Sequence, residues 1–242
     1  MKPWREVDLA AHAWPAHARR SAAVVTSLGV LAFWCGMVLA ARRFPSEYDW
    51  RYITISTLVY PDRNPAGWLW ARAGLVLCGL AGLWWTLVLR DESRMRPGRG
   101  STGLAPLGLG YACMTACALV PEWRIGIPRV HECLAMAGFF GICIGMARIA
   151  WRAAARGGRG ARLPGSPRLH AAILVGLVLS PIVLAAAAQA YVSHVLRLPW
   201  VNLGWRARGV PVYLSFAFWE WVGCGIFSAY MLMLSRASGG SA

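Results

Sequence analysis

PVYLSFAFWEWVGCGIFSAYMLML, residues Pro211 to Leu234, is apolar throughout but for one charge, Glu220. At about 1.5 Å of rise per residue the run is long enough, as a helix, to cross a hydrocarbon core about 30 Å thick. Glu220 would then lie ~13 Å from its start, close to the middle. An ionised carboxylate is costly there, so it must be protonated, hydrogen-bonded, paired or hydrated.

The rest of the chain has the same character. Of its 242 residues 57% are hydrophobic and only 14% are charged, where a soluble domain carries about a quarter. The composition is that of an integral membrane protein with one helical bundle. Five further apolar runs complete the set, giving spans at 21–41, 67–89, 103–120, 130–150, 169–195 and 212–234. The third is the shortest and is rich in glycine. The fifth contains Ser180-Pro181, which predicts a kink. The expected fold is therefore all-α: a polytopic six-helix domain over 21–235, a basic cytosolic arm over 1–20 and a cytosolic tail over 236–242. The first run, with Lys2, Arg5, Arg19 and Arg20 before it and Ala40-Ala41 at its end, has some features of a signal peptide. It exceeds the usual apolar length, and Arg42-Arg43 follow at once, so an uncleaved span is expected.

The formal charge is +15. In a soluble protein that would suggest nucleic acid; here the basic residues lie between apolar runs and read as signals of orientation and contact with anionic lipid. The greater share of the Lys and Arg falls on the N-terminal side and in the loops that would share it, placing both termini in the cytoplasm of an inner-membrane protein. Asp49, Glu47, Asp62, Glu122, Glu132 and Glu220 fall instead on the outer side or in the outer half of a span. Trp50, Trp68, Trp70, Trp123, Trp200 and Trp205 cluster there too, as an interfacial aromatic belt does. The longest outer loop, ARRFPSEYDWRYITISTLVYPDRNP, has an alternating, β-branched centre. That centre reads as a short extended segment or as a re-entrant or interfacial turn packed on the bundle mouth.

A few residues have chemistry that an apolar bundle does not need. His131 opens the fourth span, about 100° around the helix from Glu132, which is spaced to pair with Arg129. His131 is either part of an interfacial cap or a proton-exchanging group facing the interior. Glu220 is either a structural hydrogen-bonding group or a proton carrier, ligand or general acid/base. Arg72, His131, Gln189 and His194 are its candidate partners by depth. His131, Glu132, His194 and Glu220 have donor atoms that suit zinc, but none is paired at i, i+4, so no metal is expected. A haem between His131 and His194 and a serine nucleophile built from Ser56, His131 and Asp49 are both disfavoured, the latter for want of a nucleophile elbow. No phosphate-binding or dinucleotide fingerprint occurs, and no cofactor is expected. The seven Cys residues lie almost wholly inside apolar runs and read as small buried side chains; Cys113 and Cys117 share one helix face.

The sequences FPSEYDWRYITIS, RAGLVLCGLAGLWW, ALVPEW and VHECLAMAGF, in this order, resemble the six-span prokaryotic membrane proteins of the domain-of-unknown-function 998 family. The chain is similar, more loosely, to the Frag/DRAM group. The resemblance implies a site on the outer side that includes Asp49, Ser56, Pro121 and His131; it does not assign Glu220. The Frag/DRAM comparison implies lipid handling, as an analogy of fold.

Together these readings give an outward-facing polar cavity that handles a lipid or lipid-linked substrate. Asp49, Arg51, Ser56 and His194 would contact the substrate and Arg72 would hold an anionic headgroup. His131, Glu132 and Glu220 would orient it or move protons. Membrane lipids, and in one alternative a membrane protein partner, are the expected partners, without nucleic acid. The alternatives are a proton-coupled small-molecule transporter and a non-catalytic subunit or assembly factor.

Overall fold

The computed structural model describes residues 16–95, 103–120, 130–156, 167–198 and 203–239. These form α1 (Ala16–Arg42), α2 (Ile55–Val59), α3 (Trp68–Met95), α4 (Leu104–Leu119), α5 (Val130–Arg156), α6 (Pro167–His194) and α7 (Phe216–Gly239). Single 3-10 turns at Leu203–Trp205 and Val212–Leu214 lie between α6 and α7. No strand occurs among the described residues. The readings that involve Lys2, Arg5, Pro121, Glu122, Trp123, Arg129 and Trp200 fall outside them.

The six long helices form a closed ring in chain order. Each packs on the next, and α7 returns to α1. In lipid, apolar side chains have no water to escape, so helices associate through close packing and hydrogen bonds. Glycines provide the closest approaches. A Cβ on Gly36 of α1 would lie 2.5 Å from the Trp70 carbonyl oxygen of α3, and one on Gly74 would lie 2.8 Å from that of Ala32. Between α4 and α5, a Cβ on Gly110 would lie 2.5 Å from the Ile142 nitrogen and one on Gly141 2.7 Å from the Gly110 Cα. The α1–α7 seam is closed by side chains instead. Trp34 Nε1 donates to Ser228 Oγ at 3.2 Å, and the Trp34 and Trp221 rings lie 5.8 Å apart. Inside the ring Trp85, Leu107, Met146 and Met231 are fully buried, while Leu28, Leu31, Leu77, Leu80, Trp84, Leu109 and Val183 face outward. An apolar exterior on this scale identifies a surface made for lipid.

Five of the helices, α1, α3, α5, α6 and α7, are long and apolar enough to cross a membrane. The chain is a multi-pass, membrane-embedded α-helical protein. The expected span at 103–120 is a helix of 16 residues, about 24 Å long and short of a full crossing by length alone. The other boundaries also shift. α1 begins at Ala16, inside the stretch read as an arm, because its basic first turn continues the helix. α7 begins at Phe216, since Val212–Leu214 is a 3-10 turn. Pro181 sits inside a continuous α6. Its missing N–H leaves the Leu177 carbonyl without the usual donor, and the Ser180 hydroxyl takes that place at 3.0 Å.

The long first connection is neither extended nor open. Its centre forms α2, whose Ile55, Leu58 and Val59 are buried among Phe33, Met37, Ala40, Ala71, Leu75 and Ala118. The helix thus closes one end of the ring. The connection between α6 and α7 covers it from the side: Trp205 and Val210 pack with Val192 and Tyr52, and the Tyr52 hydroxyl donates to the Val210 carbonyl at 2.6 Å.

Candidate functional site

A five-residue helix cannot hold itself together, and α2 is held at both ends by the bundle. At its start the Ile55 N–H donates to Glu220 Oε2 at 2.7 Å. Two residues earlier the Ile53 carbonyl accepts the Tyr48 hydroxyl at 2.9 Å, and the Trp221 indole N–H is shared between that carbonyl, at 3.4 Å, and the Tyr48 oxygen, at 3.2 Å. Adjacent residues of α7 therefore satisfy a donor and an acceptor of the same turn. Burial, with the Glu220 carboxylate nearby, holds the Tyr48 phenol above its usual range, so it remains a donor. At the end of α2 the Val59 carbonyl accepts from Arg72 Nε at 3.0 Å. A carboxylate at the start and a guanidinium at the end match the charge that aligned peptide dipoles place there. Asn64, fully buried, ties the same end to α1 by donating from Nδ2 to the Ala40 and Leu58 carbonyls at 3.1 and 3.3 Å.

Arg72 is half-buried and lies over the Trp68 ring, its guanidinium carbon 4.8 Å from the centroid. A guanidinium has five N–H donors. The remaining four have no hydrogen-bond or ion-pair partner among the described residues. Beside it is a second buried group. His131 is 5% exposed and Cys117 4% exposed, and the Cys117 sulfur lies 3.2 Å from His131 Nδ1 and 3.6 Å from Nε2. The Tyr60 ring covers the imidazole at 4.8 Å between centroids. Arg72 stands within Coulombic range of both Cys117 and Tyr60.

Directly beneath lies a cavity of about 60 Å³, lined by Phe33, Leu75, Cys78, Gly79, Tyr111, Met114, Phe139, Ile142, Cys224, Phe227, Ser228 and Met231. It is apolar but for two hydroxyls. It therefore lies below the polar residues and is not itself the polar mouth that the sequence suggested. The register is the same on four helices. Leu75 follows Arg72 on α3, Met114 precedes Cys117 on α4, Phe139 follows His131 on α5 and Cys224 follows Glu220 on α7, each one or two turns deeper. The result is a polar layer stacked on an apolar hollow.

The remaining expected site residues are distributed around this layer. Asp49 is 7% exposed and accepts from Arg51 Nε at 2.8 Å and Nη2 at 3.0 Å. Arg206 lies 3.3 Å away on the other side. The Arg51 hydrogen bonds hold the Asp49 carboxyl below its ordinary range, against the opposing effect of its burial. Asp49 and Arg206 thus join the two connections of the cap. Ser56 Oγ is bonded to Thr54 Oγ1 at 2.8 Å, within the first turn of α2. Glu132 is exposed at the start of α5, around the helix from the buried His131, as their spacing predicts. His194 is exposed at the last residue of α6. Neither makes a hydrogen bond or ion pair among the described residues, and neither joins the layer. No group of three or more His, Cys, Asp or Glu among the described residues is placed to hold a metal ion.

Sequence reasoning missed three members of this layer. Tyr48 and Trp221 carry no role in the sequence reading, and Cys117 reads as a small buried side chain. The available signal for Cys117 was its position in the last turn of one apolar run, with His131 in the first turn of the next. No family model, no curated protein and no solved structure matches this chain.

Proposed function

We propose that the chain is an inner-membrane protein that binds an anionic amphiphile, a lipid or lipid-linked molecule, at the end closed by α2. The observation that carries this reading is the half-buried Arg72, whose other four N–H donors have no partner among the described residues, set one turn above an apolar cavity. A guanidinium in that position suits a phosphate or carboxylate, which it can grip with two parallel bonds. The hollow beneath suits an apolar chain. By volume it is smaller than the ~150 Å³ that holds a benzene-sized guest. It would take the first part of a chain, with the remainder passing between helices into lipid.

The orientation belongs to the same reading: six crossings, both termini in the cytoplasm and the cap outside. The packing of α4 supports its crossing despite its length. It runs antiparallel to α5, with Cys117 against His131 at one end and Gly103 against Arg148 at the other. It therefore covers nearly the whole apolar length of a helix that is itself long enough to cross.

The test is native mass spectrometry of the full chain released from its membrane in mild detergent. The reading predicts about one anionic lipid retained per chain, with occupancy at least tenfold lower in Arg72→Gln and partly kept in Arg72→Lys. Retained lipid that matches the bulk membrane in all three proteins would overturn it.

A further inference from the structure

The polar layer contains a pair of groups that headgroup binding does not use. The Cys117 sulfur and His131 Nδ1 are 3.2 Å apart, and both residues are buried. They come from facing helix ends, α4 and α5, so the contact is made by the fold. A thiol beside an imidazole is the arrangement from which a nucleophilic thiolate forms, and a neighbouring guanidinium favours the same species. Arg72 provides that second cation within Coulombic range of the sulfur. The Tyr60 ring packs against the imidazole, 4.8 Å between centroids. Met114, one turn from Cys117, and Phe139, two turns from His131, line the apolar cavity.

We infer that Cys117 is an acyl-accepting nucleophile and His131 its proton carrier, acting on the acyl ester of an amphiphile bound in the layer; this rests on the binding role assigned to Arg72 above. His131 takes the thiol proton. The thiolate adds to the ester carbonyl carbon, the carbon–oxygen bond breaks, and the departing alkoxide takes the proton from His131. The products are an S-acyl Cys117 and a free alcohol. In the second half, water or an acceptor hydroxyl or amine gives its proton to His131 and attacks the thioester. The acyl group leaves, and the Cys117 thiolate recovers its proton. Electrons and protons balance without a metal or redox partner. Arg72 positions the donor's anionic group, and the cavity takes the start of its acyl chain.

Six other cysteines give the experiment its internal controls: Cys35 and Cys133 are exposed and lie outside the cavity lining, and Cys78 and Cys224 line it but have no imidazole among their described contacts, so none of these should take the label. The purified full chain is incubated with an alkyne-tagged phosphatidylglycerol in detergent micelles, and the label is mapped by peptide mass spectrometry before and after neutral hydroxylamine, which cleaves thioesters. The inference predicts a hydroxylamine-labile acyl group on Cys117. It is lost in Cys117→Ala, formed at least tenfold more slowly in His131→Gln, and unchanged in Cys35→Ala and Cys133→Ala. An unlabelled wild-type chain that still retains anionic lipid would overturn the acyl-transfer inference alone. An unlabelled chain with no retained lipid would overturn the binding reading with it. Label spread evenly over several cysteines, or surviving in Cys117→Ala, would also overturn it.

Discussion

Glu220 was legible in the sequence as a charge in the wrong place, but its partner was not. Its hydrogen bond goes to a main-chain N–H of a loop 165 positions away in the chain, and a search among side chains by depth cannot find a backbone donor. Removing the acceptor leaves the Ile55 N–H buried without a partner, a loss of roughly 1–3 kcal/mol. Glu220→Ala should therefore lower the thermal unfolding midpoint measured in detergent, and Glu220→Gln, whose amide oxygen can still accept, should recover most of the loss. Equal midpoints for the two variants would show that the bond does not hold α2. Asp49 was read as a substrate contact from its place in the loop, whereas its neighbours are Arg51 and Arg206. Its carboxyl titrates in the folded protein below the ordinary value of about 3.9. Its contribution is thus fully present above that value and is lost as pH falls through the lower folded one. Unfolding midpoints followed from pH 7 to pH 3 should drop below about pH 4 in the wild type, and Asp49→Asn should flatten that acid limb.

At the level of elements, five crossings were legible because the bilayer dictates their length and composition. Helix α2 was not. Its ITISTLV sequence is β-branched and alternating, with no helical signal of its own, and it becomes a helix only because Glu220, Trp221 and Arg72 satisfy its ends. The helix interfaces were also hidden, since a helix in lipid is apolar all round and shows no buried face. Glycines mark those faces only after the fact. Gly141 approaches the backbone of α4 so closely that a side chain requires the helices to part, whereas a Cβ on Gly176 meets nothing within 4 Å. Gly141→Leu should destabilise the bundle by at least about 1–3 kcal/mol and reduce its yield from membranes, with Gly176→Ala unchanged. Comparable yields and melting for the two would mean that the α4–α5 seam is looser than this geometry.

At the level of the whole molecule, chain order gives the ring: each helix packs on its successor and the last on the first. With α4 as the proposed sixth crossing, both termini lie on one side. Reporter fusions active only in the cytoplasm should be active at both Met1 and Ala242; activity at one end alone would mean that α4 does not cross. The ring also stacks the polar layer on the cavity, an arrangement that no single apolar run encodes, because each level is assembled from side chains of several helices. The claim that this stack is built for an amphiphile is tested most directly by a phosphatidylglycerol with a photoactivatable diazirine near its headgroup, irradiated with the protein in bilayers. Cross-links should concentrate at Leu75, Met114, Phe139 and Cys224 and be abolished by an excess of unlabelled phosphatidylglycerol. Cross-links confined to the outward-facing Leu28, Leu77, Leu109 and Val183, with none at the cavity, would contradict it.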